Sequence, residues 1–244
     1  MSFFAGVIGS ISGAAGEMTR LQVLSNNLAN INNAGFKQDR LVFEAQLDNA
    51  RQGQMGEGIT NRTMAETYTD FSQGNLEYTG RDLDVGIEGE GFFKVATEEG
   101  FAYTRHGSFV LQPDGALVTP SGHQVVGEEG PVNLGDSSNV SIGQDGQIVG
   151  ANGDPQGQLD VYTVQDLQQL EKQGDNLWQR PEDVPEELVQ ESTVYQGQLE
   201  AANVSAIQMT TDLVEAGRSF ESYQKAIKAY DTVAQKTNTV GRIG

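Results

Sequence analysis

Several residue types are absent or scarce in this chain of 244 residues, and each scarcity excludes a class of protein. Cysteine is absent, which excludes disulfides, zinc sites built from thiolates and a cysteine nucleophile. Histidine occurs twice, as His106 and His123, so a zinc site would have to rest on carboxylates, which is uncommon. The sequence therefore favours a function that does not depend on thiol or metal chemistry.

Long apolar runs and basic stripes are also missing. No stretch reaches the roughly 18 apolar residues of a membrane span, so we expect no direct membrane insertion. Residues 1–10 are apolar but lack the positive region and the cleavage site of a secretory signal. Lys and Arg together number 15 against 34 Asp and Glu, and no basic stripe exists to displace counterions from phosphates. Nucleic acid is therefore not expected as a partner.

The acidic residues are concentrated in the middle of the chain. Residues 1–51 hold four acids and four bases, residues 203–244 hold four acids and five bases, and residues 52–202 hold 26 acids against six bases. Near-neutral ends can crowd together without strong self-repulsion, whereas an acidic middle repels its neighbours and stays soluble. The charge therefore divides the chain into two ends suited to packing and a solvated body.

Each end of the chain carries a heptad pattern of apolar residues. The spacings alternate between three and four from Phe4 to Leu28, and again from Ala206 to Thr237. This pattern is typical of helices that wind around one another. One subunit cannot bury both seams by itself, so we expect neighbouring copies to supply the facing side chains. The predicted assembly interface comprises Val7, Ile11, Met18, Leu21, Asn26, Asn27, Leu28, Asn30, Met209, Leu213, Phe220, Tyr223, Ile227 and Tyr230.

The first helix is predicted from about Ser2 to Asn30, and two of its features are unusual. Four glycines lie in its first half, and each costs up to about 1 kcal/mol relative to alanine. We interpret them as positions where another helix approaches closely. Asn26, Asn27 and Asn30 have two interpretations: hydrogen bonds across packed helices that fix their register, or the turn-forming end of one helix.

The body is predicted to consist of strands. Apolar and polar residues alternate from Asp82 to Glu88 with the period of a half-buried strand, and further short segments follow between turn-forming Gly, Asn, Asp and Pro. The predicted fold class is mixed, a mainly β body with long N- and C-terminal α-helices that pair in a coiled coil. The predicted divisions are an N-terminal coiled-coil helix (1–35), a connecting loop region (36–75), a β-rich body domain (76–180), a linker (181–195) and a C-terminal coiled-coil helix (196–244).

The carboxylates of the body do not indicate a catalytic site. Strand alternation places Asp82, Asp84 and Glu88 on a solvent-exposed face, where they would be hydrated rather than paired for acid–base chemistry. The stretches at 145–146 and 152–154 offer oxygens, but neither matches the twelve-residue calcium loop. We therefore predict that the protein is not an enzyme and has no metal or other cofactor.

Three separated motifs resemble those of one protein family. They are Ser-Asn-Asn-Leu-Ala-Asn at 25–30 with Gly-Phe-Lys at 35–37, Leu-Asp-Val at 83–85 with Gly-Glu-Gly-Phe-Phe at 89–93 and Tyr-Thr-Arg at 103–105, and Gln-Gly-Gln-Leu-Glu at 196–200 with Asn-Val at 203–204. In this order the motifs resemble the bacterial flagellar rod and hook proteins. The length and the lack of a large mid-chain insertion favour a rod protein over the hook protein, and residues 126–131 are most similar to the proximal rod type.

The resemblance implies that the chain is a structural subunit of the flagellar basal-body rod. Members of this family polymerise into a hollow helical tube, with the terminal helices as an inner coiled-coil layer and the β body facing outward. The resemblance further implies that the partners are copies of the chain, other rod proteins and the flagellar export apparatus. It implies export without a cleaved signal peptide and a location in the periplasmic rod, where the subunit transmits torque.

The sequence is also compatible with a second function. An acidic β domain with helical oligomerisation tails could be a secreted binding module for a glycan or a cation. The two functions differ in the isolated monomer. The helices of a rod subunit would be readily cut by a protease before assembly, whereas a self-contained oligomeric module would protect them.

Overall fold

In chain order, a long helix precedes a series of short strands and a second long helix follows them. The computed structural model describes residues 2–46, 62–135, 140–189 and 192–240. Within these ranges the chain forms two long helices, α1 (Ser2–Ala29) and α2 (Ala206–Val240). A mainly β body with a helix at each end, as predicted, is confirmed.

The strands between the helices are short, as the frequent turn-forming residues predict. Numbered in chain order, they are β1 (Asp39–Gln46), β2 (Arg62–Thr69), β3 (Leu76–Tyr78), β4 (Val85–Glu88), β5 (Phe92–Thr97), β6 (Gly100–Thr104), β7 (Val110–Leu111), β8 (Leu117–Val118), β9 (Gln124–Gly127), β10 (Gly130–Pro131), β11 (Val140–Ile142), β12 (Gln147–Gly150), β13 (Pro155–Gln158), β14 (Val161–Val164), β15 (Glu171–Gly174), β16 (Leu177–Gln179), β17 (Glu186–Leu188), β18 (Thr193–Gln196) and β19 (Gln198–Glu200). A 3₁₀ turn, Leu167–Gln169, follows β14, and the side chain of Asp166 caps it by accepting a hydrogen bond from the Gln168 amide.

The chain divides into two compact units. The first comprises residues 1–29, 39–68 and 205–244, and the second comprises residues 30–38 and 69–204. In the first unit α1 packs against α2, and β1 pairs with β2. The prediction that the two ends of the chain meet is therefore confirmed.

The second unit is built around one large antiparallel sheet. Its strand order is β15-β16-β6-β5-β9-β8-β7, while β10 pairs with β9, and β14 pairs with both β5 and β17. The register of the central pair places Phe93 opposite Thr104 and Val95 opposite Ala102. Smaller sheets are formed by β11, β12 and β13, by β4 with β18, and by β3 with β19.

Adjacent phenylalanines on β5 face two different parts of the core. Phe93 packs with Val95, Phe109 and the other residues of an aliphatic cluster. Phe92 points to the opposite side of the strand and packs with Tyr103 and Trp178. This follows from the two-residue period of a strand, which sends neighbouring side chains to opposite faces. Both faces of the central strand are therefore buried.

Three predicted segments differ in the structure. The predicted connecting loop region 36–75 contains two strands, β1 and β2. Its middle, residues 47–61, lies outside the described ranges. The linker 181–195 contains β17 and the start of β18. Helix α2 begins at Ala206, later than residue 196, because residues 193–200 form β18 and β19 along the body.

The predicted exposure of Asp84 is wrong. The residue is only 1% exposed, and it lies just before β4, outside the alternation of that strand. Its backbone carbonyl accepts a hydrogen bond from the Gly197 amide at 2.7 Å, and it forms an isolated bridge with Ser108. The nearest cation is Arg81, whose Nη1 lies 3.4 Å from the carboxylate. Asp82 and Glu88 are exposed, as predicted.

Candidate functional site

Two tyrosines of α2 lie against two glycines of α1. A Cβ atom on Gly13 would lie 2.5 Å from Cζ of Tyr223, and a Cβ atom on Gly6 would lie 2.9 Å from Cζ of Tyr230. Only a residue without a side chain leaves room for these rings. The contacts pair an early residue of α1 with a late residue of α2, so the helices run antiparallel. Gly6 and Gly13 are therefore contact positions, as the sequence indicated, whereas Gly9 has nothing within 4 Å of the position that a Cβ would occupy.

The predicted seam of α2 lies on the less exposed side of that helix. Met209 and Ala216 are buried, and five further residues of the predicted seam are half-buried. These half-buried residues are Leu213, Phe220, Tyr223, Ile227 and Tyr230. Ala206 is exposed, and the side chain of Thr237 is outside the described set. The heptad pattern of α2 thus identifies the face that packs in the subunit.

The predicted seam of α1 is unevenly buried. Val7, Leu21 and Leu28 are half-buried, whereas Ile11 and Met18 are each 53% exposed. Ile8, which was outside the predicted seam, is 65% exposed. We call Ile8, Ile11 and Met18 the α1 stripe. The face of α1 that contacts α2 carries glycines. Because glycine has no side chain, the spacing of apolar side chains does not indicate this face.

The asparagines near the end of α1 have different roles. Asn27 is buried, and its amide group exchanges two hydrogen bonds with the backbone of Asp39, at 2.7 Å to the carbonyl and 2.9 Å from the N–H. Asn30 begins a turn, since its carbonyl accepts from the Asn33 amide at 3.0 Å. Asn26 is exposed. Asn27 therefore ties α1 to the start of β1, and the turn interpretation applies to Asn30.

A buried group of three charged side chains lies in the second unit. We call Lys37, Arg105 and Glu200 the ion cluster; Lys37 and Glu200 are 1% exposed and Arg105 is 5% exposed. Glu200 Oε1 accepts from Lys37 Nζ at 2.6 Å, and Oε2 accepts from Arg105 Nη1 at 3.1 Å. The Gly74 amide also donates to Oε1 at 2.8 Å. The Glu200 carboxylate therefore accepts hydrogen bonds from two cations and a backbone N–H.

The cations of the ion cluster also bind backbone carbonyls. Lys37 Nζ donates to the carbonyl of Ser72 at 2.8 Å, and Arg105 Nη2 donates to that of Gly89 at 2.7 Å. Burial lowers the pKa of the Lys37 ammonium, and the neighbouring Glu200 carboxylate opposes this effect. Each charge is thus compensated by several partners, as buried ionic groups require.

Backbone contacts beside the ion cluster join its segments more closely. The Gly35 amide donates to the Glu200 carbonyl at 2.7 Å, and the Gln38 amide donates to Asn203 Oδ1 at 2.8 Å. Gly35 has φ +68°, and a Cβ there would lie 2.5 Å from the carbonyl oxygen of Arg105. A side chain would therefore be strained by both conformation and space. The three motifs that carry the family resemblance meet at this point.

A second polar group surrounds the phenol of Tyr103. Its hydroxyl donates to Glu186, which also accepts from Lys94 Nζ at 2.7 Å, and it accepts from Arg180 Nε at 3.2 Å. Burial raises the pKa of Tyr103 to about 12, and the Glu186 carboxylate adds to this effect. Lys94 also lies over the ring of Phe101 at 4.4 Å from its centroid. This group connects β5, β6 and β17 in the body.

The two histidines of the chain line the same small cleft. His106 and His123 share a space of about 230 Å³ with Asn30, Asn33 and other polar residues of the second unit. Burial lowers the pKa of the His106 imidazole, and Asp84 opposes the effect. In the described ranges, no group of three or more His, Asp or Glu side chains is arranged to hold a metal ion. Nor is any helix in these ranges long and apolar enough to cross a membrane.

The fold and its surfaces define a class of protein: a subunit with a β body, two terminal helices in contact, and apolar side chains left exposed on those helices. Two family models match the chain, the D1 domain of the flagellar hook protein FlgE/F/G over residues 86–150 and the C-terminal region of the flagellar basal body rod FlgEFG protein over residues 195–240. The chain belongs to the flagellar basal-body rod protein family, and it is a structural subunit of the rod of the flagellar basal body.

Curated relatives match the chain over nearly its whole length. The rod protein FlgG of Buchnera aphidicola from Schizaphis graminum is 34% identical, over 93% of this chain and 96% of the relative. FlgF of Caulobacter vibrioides is 33% identical, over 92% of this chain and 91% of the relative. FlgG of Bacillus subtilis is 32% identical, over 93% of this chain and 95% of the relative. These relatives do not support the alternative of a secreted binding module for a glycan or cation.

Proposed function

We propose that the chain polymerises through α1 and α2, which pair as a coiled coil within the subunit and pack on the helices of neighbouring copies. The contacts of Gly6 with Tyr230 and of Gly13 with Tyr223 support the coiled coil. Both helices advance seven residues from one contact to the next, which is the heptad repeat of such a pairing.

The observation that carries the proposal is the exposed α1 stripe. Ile8, Ile11 and Met18 recur at spacings of three and seven, so they lie along one side of the helix. On α2, Val214 and Val233 are each 52% exposed. Burying one such side chain contributes about 1.5–3 kcal/mol. A second copy of the chain is the occupant that fits, since the helical ends are near-neutral and do not repel each other strongly.

A groove along α2 adds to this support. It has a volume of about 820 Å³ and is lined by residues of α2 that include Thr211, Val214 and Tyr223. Its charged residues, Glu215 and Arg218, have opposite signs. Such a surface accepts a neighbouring helix without a net electrostatic penalty.

Substitution of the α1 stripe tests the proposal. Ile11→Asp places a charge where a neighbouring helix would exclude water, which is costly, yet it leaves the monomer intact because Ile11 is already exposed. We expect an unchanged circular dichroism spectrum, a melting temperature close to that of the wild type, loss of the variant from purified basal bodies, and loss of motility.

The matched control is Ser12→Asp. Ser12 is also exposed on α1 but lies about 100° around the helix from Ile11. This variant should enter basal bodies and support swimming. Wild-type incorporation and swimming of Ile11→Asp would contradict the role of the α1 stripe.

We further propose that other rod proteins and the flagellar export apparatus are partners of the chain, and that the assembled rod lies in the periplasm and transmits torque. The names of the relatives as basal-body rod proteins support this proposal. FlgG and FlgF relatives match at nearly equal identity, 34% and 33%, so these comparisons do not separate rod types. The proximal type stays a prediction from residues 126–131.

A further inference from the structure

The ion cluster lies where the chain passes between the helices and the body. Residues 30–38 follow α1 and residues 200–204 precede α2, and both segments belong to the second unit. Lys37 lies on the first segment and Glu200 on the second, 163 residues away in sequence. Along the chain, α1 continues into the first segment and α2 follows the second, while residues 38–39 and 68–69 also join the two units.

Glu200, on the second segment, contacts both the first segment and the body. Its carboxylate accepts from Lys37 on the first segment and from Arg105 and Gly74 in the body. Its own backbone carbonyl accepts from Gly35 on the first segment. The two cations would repel each other without the carboxylate between them.

Most other contacts between the two segments are hydrogen bonds to backbone. The Gln38 amide binds Asn203 Oδ1, and Asn203 Nδ2 binds the carbonyl of Asp70 at 2.8 Å. The Asn203 amide reaches the Phe36 carbonyl at 3.4 Å, which is long for a hydrogen bond. The shortest and most strongly charged link between the segments is therefore the Lys37–Glu200 pair at 2.6 Å.

We propose that the ion cluster fastens residues 30–38 and 200–204, which adjoin α1 and α2 in the chain, to the body, with Glu200 as the positioning residue, so that a load carried along the chain from either helix under torque is passed to the body without opening these segments. This inference rests on the proposed role of the rod in torque transmission. The fastening itself is a property of the single subunit, and it can be measured without assembly.

Hydrogen exchange on the purified protein tests the fastening. In Glu200→Gln the carboxylate charge is lost while the size of the side chain is kept, and two buried cations remain without their anion. We expect amides in residues 30–38 and 200–204 to exchange about 100-fold faster, because local opening becomes easier when a buried partner is removed. Residues 92–104 should stay within about threefold of the wild type, since local opening does not involve the core sheet.

The matched control is Glu186→Gln. Glu186 also accepts from a lysine and a tyrosine in the body, but it lies on β17, away from both segments in sequence. This variant should leave exchange in the two segments unchanged. The proposal is overturned if Glu200→Gln leaves the segments as protected as in the wild type, or if Glu186→Gln loosens them equally.

Lys37→Met provides a second variant in case Glu200→Gln unfolds the whole body. It removes one of two cations and leaves the Arg105–Glu200 pair balanced. We expect faster exchange in residues 30–38, while residues 200–204 keep their protection through Arg105. If Glu200→Gln unfolds the body and Lys37→Met loosens neither segment, the ion cluster is not the fastening and the proposal fails.

Swimming at raised viscosity tests the role under torque. Glu200→Gln should enter basal bodies in the wild-type amount, but its swimming speed should fall more steeply with viscosity than that of Glu186→Gln. A wild-type viscosity curve for the incorporated variant would overturn the torque role. If the wild-type chain itself is missing from basal bodies, the proposed function fails, and the exchange experiment still decides the fastening.

Discussion

Tyr103 has a buried phenol whose protonation is coupled to folding. Its pKa is raised to about 12, mainly by burial, so the folded state holds the proton between pH 10 and 12 while the unfolded state releases it. The free energy of unfolding should therefore decrease as the pH rises through this window, by up to about 1.4 kcal/mol per pH unit for one proton.

Tyr103→Phe should reduce that pH dependence. Urea unfolding of the wild type and the variant at pH 9, 10 and 11 measures it. Tyr162, whose pKa is also raised to about 12 mainly by burial, is present in both proteins, so only the difference in slope reports on Tyr103. Equal slopes in the two proteins would show that the phenol titrates in the folded state as it does in the unfolded chain.

The three residues of the ion cluster could each be assigned to a family motif from the sequence, but their contacts with one another could not be predicted. Lys37, Arg105 and Glu200 each stand in a family motif, yet nothing in one sequence pairs charges 163 positions apart. The burial of Asp84 could not be predicted from the sequence either. Strand alternation placed it in solvent, whereas backbone contacts with Gly197 and Ser108 bury it. Pairing between distant segments decides both cases.

The glycines of α1 differ in what surrounds them, and this allows a matched comparison at the scale of the helix. Gly13 lies against the ring of Tyr223, whereas Gly9 has nothing within 4 Å of the position that a Cβ would occupy. Gly13→Ala should lower the melting temperature of the helix pair, because the ring must move. Gly9→Ala should raise it, since alanine favours a helix by about 1 kcal/mol over glycine.

Thermal unfolding followed by circular dichroism measures both variants. Opposite signs of the change in melting temperature are expected. Stabilisation by both substitutions would mean that Tyr223 does not pack on Gly13 in solution, and that the helix pair has another register.

The two helices show which patterns in a sequence identify a packing face. The predicted α2 seam consists of large side chains at heptad spacing, from Met209 to Tyr230, and it coincides with the less exposed side of that helix. Its role as an interface between copies stays a prediction. The contact face of α1 includes Gly6 and Gly13, so its apolar pattern identified residues that are partly exposed instead. The strands within residues 181–200 were still harder to predict, because β17, β18 and β19 are only three or four residues long. Such short strands depend on their partners rather than on their own pattern.

Among the charged side chains that the body exposes to solvent, carboxylates outnumber cations. Four of its cations bind within the body: Lys94 to Glu186, Arg105 to Glu200, Lys172 to the Lys37 carbonyl, and Arg180 to Tyr103. Exposed acids include Glu77, Glu98, Glu99, Glu128, Glu129, Asp154, Glu171, Glu182 and Asp183. The bodies of neighbouring subunits should therefore repel each other, and close packing is left to the near-neutral helices.

We infer that the rod depends on this chain as a structural subunit. Mass spectrometry and electron microscopy of hook–basal bodies, purified from wild-type cells and from a strain that lacks the gene, test it most directly. We predict that the protein is present in the wild-type particle and that its loss leaves a truncated rod without a hook. The length of that truncated rod would also show whether the proximal type is correct. Intact particles in the deletion strain would contradict the account.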